Sequence, residues 1–103
     1  MTSSPTDVRE PLASGVRISD GSLHVDLLDG RALSVPLAWF PRLAHGTDDE
    51  RAVWQMVGSG QGIHWPRLDE DISVEGLLAG RRSGESPASI ARWLDARSGQ
   101  SRR

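Results

Sequence analysis

Between residues 16 and 37, apolar and polar positions alternate. Val16 and Ile18 flank Arg17, Leu23, Val25 and Leu27 alternate with His24 and Asp26, and Leu33 and Val35 flank Ser34. A period of two predicts strands with one buried face. Asp20-Gly21 and Asp29-Gly30 punctuate the runs, and Asp-Gly between alternating segments is a strong hairpin signal. With Asp20-Gly21 as a two-residue loop, Ser19 faces Ser22, Ile18 faces Leu23 and Val16 faces Val25. The same loop at Asp29-Gly30 would set Leu27 against Ala32 and Leu33 beside Asp26. One more loop residue repairs this: with Leu28-Asp29-Gly30 as the loop, Leu27 faces Arg31, Val25 faces Leu33 and Leu23 faces Val35. The register therefore predicts a tight first turn and a bulged second turn with positive φ at Gly30. Val16, Ile18, Leu23, Val25, Leu27, Leu33 and Val35 face the core, and Arg17, His24, Asp26 and Ser34 face solvent.

Pro36 ends the third strand. Leu37-Ala38-Trp39-Phe40-Pro41-Arg42-Leu43 reads as a buried corner entering a short helical turn. Thr47-Asp48-Asp49-Glu50 is a capping box with two acids in the first turn. It predicts a helix from about Asp48 to Val57, with Val53, Met56 and Val57 as its apolar stripe and Gly58 as its stop. Gly58-Ser59-Gly60-Gln61-Gly62 is a loop, and Ile63-His64-Trp65 is a short strand closed by Pro66. Ile72, Val74, Leu77 and Leu78 mark a last core helix that Gly80 ends. Ser86-Pro87 opens a C-terminal helix by N-cap and N1 preference, with Ile90, Trp93 and Leu94 as its stripe, fading near Arg97. The fold class is α+β: a three-stranded antiparallel β-meander plus a short fourth strand, two or three short helices and a C-terminal helix. The organisation reads as a flexible tail over 1–14, one domain over 15–80, and a basic linker and helix over 81–103.

The chain has 103 residues, 37% of them hydrophobic, and a formal charge of −2. That length suits one domain with a modest core and leaves little room for a deep active site, so the chain is read as a non-enzyme. The absence of cysteine excludes disulfides, Cys-ligated zinc and thiol nucleophiles. No apolar run approaches the roughly 20 residues of a membrane span, and the polar start lacks a signal-peptide core, so a cytoplasmic location is expected. All 12 basic residues are Arg. Residues 48–75 hold seven acids against two Arg, and residues 81–103 hold six Arg against two acids. The two regions read as solvated faces, or as an acidic middle and a basic end that meets an acidic partner or nucleic acid.

Candidate chemistry is sparse. Asp69-Glu70-Asp71 near His64 invites a hard-cation site, but three consecutive residues do not converge on one ion and no calcium-loop spacing is present. Helix-start acids and a solvated loop explain the run more simply. Gly58-x-Gly60-x-Gly62 has a helix before it and a strand after it, the reverse of a phosphate loop. His24, His45 and His64 are scattered on polar faces or loops, and no elbow presents a serine. No cofactor or metal is expected. Of the four Trp, Trp39 and Trp65 belong to the core and Trp54 is half covered; Trp93 either docks on the domain or anchors a partner.

Three blocks carry a resemblance. Asp29-Gly30-Arg31, then Val35-Pro36-Leu37-x-Trp39-Phe40-Pro41-Arg42-Leu43, then the run from Gly62-Ile63-His64-Trp65-Pro66 through Asp69-Glu70-Asp71-Ile72 to Gly80 resemble the bacterial domain-of-unknown-function family 2442, over roughly residues 15–80. The resemblance implies a small α+β fold of a meander with helices, and no established activity or cofactor. It also implies a genetic pairing with another uncharacterised family, number 4160, read as toxin and antitoxin. Some members carry a C-terminal helix-turn-helix; the 23 residues after Gly80 suffice for one helix.

The leading expectation is a protein-binding module, antitoxin-like, whose partner is another protein encoded by a neighbouring gene. Ile90, Trp93 and Leu94 would anchor it, with Arg92 and Arg97 at the rim. The alternative is a nucleic-acid-binding or regulatory protein using the Arg-rich end, and a third reading is a small hydrolase or metal enzyme built on His64 and Asp69–Asp71. An exposed edge strand, Val16–Ser19 or Ile63–Trp65, offers a pairing surface for a homodimer.

Overall fold

The computed structural model describes residues 10–101, with side chains to Ser98. Its first sheet is the expected meander: β1 (Ala13–Ser19), β2 (Ser22–Leu27) and β3 (Ala32–Pro36), in the order β1-β2-β3. Val16 pairs with Val25, Ile18 with Leu23 and Ser19 with Ser22, and on the other side Val25 pairs with Leu33 and Leu23 with Val35. Asp20 and Gly21 both have positive φ, 52° and 75°, as a type I′ turn requires. Gly30 has φ 97°, and the Arg31 carbonyl accepts from the Leu27 amide at 2.8 Å, so the second loop holds three residues. Leu23, Val25, Leu27 and Val35 are buried, and Val16, Ile18 and Leu33 pack against that core from its margin. On the outer face His24 bridges the Ser19 and Ser34 hydroxyls at 3.2 and 2.7 Å. Strand β1 starts at Ala13, which is buried, inside the stretch read as tail; residues 1–9 of that stretch lie outside the described residues.

After β3 the chain makes a 3-10 turn (Leu37–Trp39), then α1 (Pro41–His45) and α2 (Asp48–Arg51). The capping box closes as the sequence predicts: the Glu50 amide donates to Thr47 Oγ1 at 3.1 Å and the Thr47 amide to the Glu50 carboxylate at 2.8 Å. The helix does not run on to Val57. It stops after Arg51, and Gln55–Val57 is a strand, β4, that pairs with β5 (Gly62–Trp65). A four-residue helix barely nucleates, and the Val53–Val57 stretch, rich in β-branched and aromatic residues, suits a pleated surface better. Val53 and Val57, read as a buried helical stripe, are instead exposed, while Met56 points inward. Gly58 turns the β4–β5 hairpin rather than capping a helix.

A second correction concerns residues 69–78. Glu70–Ser73 forms strand β6 beside β5, and the helix α3 is confined to Val74–Leu78. The turn at Pro66–Asp69, with Asp69 at φ 51°, folds the chain back on β5. Strand alternation then sends Glu70 and Ile72 inward and Asp71 and Ser73 outward. Ile63–Trp65 is consequently the centre of the second sheet, order β4-β5-β6, and not an edge available for pairing; β1 is an outer strand of its sheet. Both sheets contribute to one buried cluster that includes Leu23, Val25, Leu43, Ile63, Trp65, Leu68 and Val74. The sheets meet where Gly60 approaches β1: the Ala13 amide donates to the Gly60 carbonyl at 2.8 Å. The C-terminal helix α4 spans Pro87–Ser101, four residues beyond the expected fade. No helix among the described residues is long and apolar enough to cross a membrane.

Candidate functional site

Two regions merit a functional reading. The first is the seat of α4. Ser86 caps this helix by accepting from the Ser89 amide at 3.1 Å. Ser89, Ile90, Trp93, Leu94 and Arg97 are half-buried along one stripe, while Arg92 is exposed. Arg42, on α1, donates twice to the Glu85 carboxylate just ahead of the helix, at 2.8 and 2.7 Å. Farther along, Arg97 donates twice to Glu50 of the capping box, both at 2.9 Å. Between these pairs the Arg42 and Arg97 guanidiniums lie over the Trp93 ring, 5.0 and 4.6 Å from its centroid. Trp93 itself packs against the core. Of the two readings open for Trp93, docking on the domain is the one the structure adopts.

The pairs leave a clear electrostatic signature. Arg97, with the Thr47 amide behind it, holds the Glu50 carboxyl far below its usual range, at about 2. Arg42 and then the Ser89 hydroxyl, which donates to Glu85 at 2.6 Å, lower Glu85 in the same direction.

The second region is a cleft of about 240 Å³ between β6, the start of α3 and the extended segment 81–84, with Phe40 and Leu77 among its walls. Glu70 lines it. This side chain is 9% exposed, and among the described residues no hydrogen bond or ion pair reaches its carboxyl. Burial, and after it the negative charge of Glu85, pushes its pKa up to about 7. The expectation that Asp69-Glu70-Asp71 is a solvated acidic run therefore fails at its middle residue. The signal that could have found this was Leu68-x-Glu70-x-Ile72, a period of two that places Glu70 on the apolar side. Arg81 and Arg82 also line the cleft, and Arg82 lies over Trp39 at 4.8 Å.

The residues of the third sequence reading are brought together only in part. His64 Nδ1 lies 2.7 Å from Asp71 Oδ1 on the outer face of the second sheet, but Glu70 points to the opposite face. Among the described residues no group of three or more His, Asp or Glu side chains is placed to hold a metal ion. His24 and His45 sit far from this pair along the chain.

A family model for proteins of unknown function, DUF2442, matches residues 13–83. The chain belongs to the DUF2442 family. The matched stretch contains both sheets, Arg42, Glu70 and most of the cleft, and it stops before α4. This DUF2442 chain is similar to a protein of unknown function from Rhodospirillum rubrum, known from a crystal structure. That likeness has a TM-score of 0.65 and 31% identity, covering 80% of this chain and 99% of that one. It is also similar to an uncharacterised protein from Chromobacterium violaceum solved by NMR, with a TM-score of 0.61 and 25% identity, covering 79% of this chain and 74% of that one. No curated protein matches it.

Proposed function

We propose that this chain is a non-catalytic protein-binding module, the antitoxin-like member of a two-protein pair working in the cytoplasm, and that α4 carries its partner surface. The supporting observation is how α4 is held. Its attachment rests on two arginine–carboxylate pairs and one tryptophan, and its apolar positions Ile90 and Leu94 are only half covered. Partly exposed apolar side chains on a fixed helix form the kind of anchor surface that a partner helix or groove recognises, and the exposed Arg92 lies on the other side of the same helix.

The nucleic-acid reading has less support. Of the four described arginines it relies on, Arg97 is neutralised by Glu50 and Arg82 lies on Trp39, so two are engaged within the chain and Arg81 and Arg92 are the exposed ones left to it.

The test is assembly with the product of the adjacent gene. Size-exclusion with light scattering is expected to give a stoichiometric complex. The double change Ile90→Asp with Leu94→Asp should abolish it while the far-UV spectrum and melting transition of the free chain are retained. A wild-type chain that elutes alone at micromolar concentrations of both proteins would sink the proposal.

A further inference from the structure

We infer that the cleft beside β6 is a binding site for a small cationic hydrogen-bond donor, a guanidinium or alkylammonium group, that pairs with Glu70. Buried polar groups in folded proteins almost always have partners. Glu70 is 9% exposed and has none among the described residues. The obvious donor is Arg42, but it directs its bonds elsewhere: two to Glu85, one to the Leu68 carbonyl at 3.3 Å, and a longer approach to Asp69 at 3.7 Å. Glu70 also lines a cleft large enough for a side-chain-sized group.

The sign of the ligand follows from the charges around that carboxyl. Asp69 and Asp71 flank it in the chain, Glu85 faces it from the segment leading to α4, and Arg42 faces it from α1. Glu85, only 16% exposed, is the carboxylate that weighs most, since Asp69 and Asp71 are 85% and 70% exposed, and the Arg42 guanidinium is already engaged by Glu85 and, at longer range, by Asp69. Arg81 and Arg82 also line the cleft, but both are exposed; Arg82 is held over Trp39, and solvent and salt screen such charges. An anion entering the floor would meet like charge. A cation would supply both the missing hydrogen bonds and the missing counter-charge, as charge-assisted pairs to carboxylates do. Phe40 and Leu77 give the cleft apolar walls that suit a flat guanidinium on a short alkyl stem. The group can be free or can end an arginine side chain, and the chemistry at Glu70 is the same.

The test uses the full chain with three probes: ethylguanidinium, butylammonium, and a blocked Gly-Arg-Gly tripeptide, with acetate as the opposite-sign control. Carboxyl-carbon NMR of Glu70 reads both occupancy and titration. A cationic probe is expected to lower the Glu70 pKa from about 7 and to bind about tenfold more tightly at pH 8 than at pH 6, because only the ionised carboxylate pairs with it. Glu70→Gln should abolish binding. His64, which bonds Asp71, is the nearby imidazole, so the pH series is repeated in His64→Gln and should be unchanged. Preference for the tripeptide over ethylguanidinium would assign the site to a protein's arginine, and equal or weaker binding to a free cation. An unmoved Glu70 titration in the wild-type chain, binding that survives Glu70→Gln, or a preference for acetate would each overturn the inference. The titration needs no variant, so it decides the matter even where Glu70→Gln does not fold.

Discussion

Arg42 grips Glu85 across 43 residues of chain with two N–H···O bonds of 2.8 and 2.7 Å, and both side chains are only 16% exposed. Through this pair the first helix after the meander holds the entrance to the last. The same guanidinium covers Trp93, so one residue serves both the polar and the apolar part of the α4 seat.

Arg42→Ala should therefore loosen α4. The pair lies between the exposed class, worth up to about 1 kcal/mol, and the fully buried class, whose breakage costs about 3–5 kcal/mol, so a loss of about 2 kcal/mol in urea unfolding is expected. Hydrogen exchange should show α4 amides losing protection while those of β2 and β5 keep theirs. Equal loss in β2 would mean that the pair supports the whole core rather than the helix.

Two carboxyls give stability opposite slopes with pH. Glu50 has a folded pKa of about 2 against an ordinary 4.5, so its contribution is complete above 4.5 and is lost as pH falls toward 2. Glu70 is raised to about 7, so the folded state holds its proton longer than the unfolded chain does. Its contribution is complete below 4.5 and is lost as pH rises to 7, with no further change above. Urea midpoints from pH 2 to 8 should show both arms. Glu70→Gln should flatten the arm between 4.5 and 7 and leave the variant more stable than wild type at pH 8. Arg97→Ala should weaken the acid arm instead.

Gly60 is the glycine the fold can least replace. Its φ is 114°, and a Cβ there would stand 2.6 Å from the Ala13 carbonyl oxygen, at the junction of the two sheets. Gly60→Ala should cost about 2 kcal/mol or more, from backbone strain and the displaced β1 terminus. Gly84→Ala, where nothing lies within 4 Å, should stay within about 0.5 kcal/mol of wild type.

The meander register can be tested with two leucines five positions apart. Leu23 is fully buried and Leu28, in the bulged loop, is 64% exposed. Leu23→Ala should cost about 2–5 kcal/mol and Leu28→Ala less than about 0.5 kcal/mol in thermal or urea unfolding.

The elements legible in the sequence share one property: their determinants are local. The alternation of Leu23, Val25 and Leu27, the αL preference of Gly30, the Thr47–Glu50 box and the Ser86-Pro87 start each act within a few residues, so pattern and turn chemistry suffice. The strands that the local pattern does not show, Gln55–Val57 and Glu70–Ser73, owe their state to pairing with β5, a partner elsewhere in the chain. A capping box says where a helix begins, but not that it yields to a strand after one turn.

The candidate sites divide along the same line. That Ile90, Trp93 and Leu94 share a stripe follows from helical spacing, because a stripe is a local fact. That Arg97 reaches Glu50, that Arg42 reaches Glu85 and shares the Trp93 ring, and that Glu70 is buried in a cleft with no partner among the described residues does not follow from spacing. Each depends on side chains from distant segments meeting, and a single sequence records no such distances. The amino-acid order by itself determined the meander, its two different turns and its buried face, since strand periodicity and backbone sterics leave one consistent register. The tertiary structure alone decided the second sheet, the docking of α4 and the burial of Glu70, since burial and charge pairing are properties of what the whole fold packs against each residue.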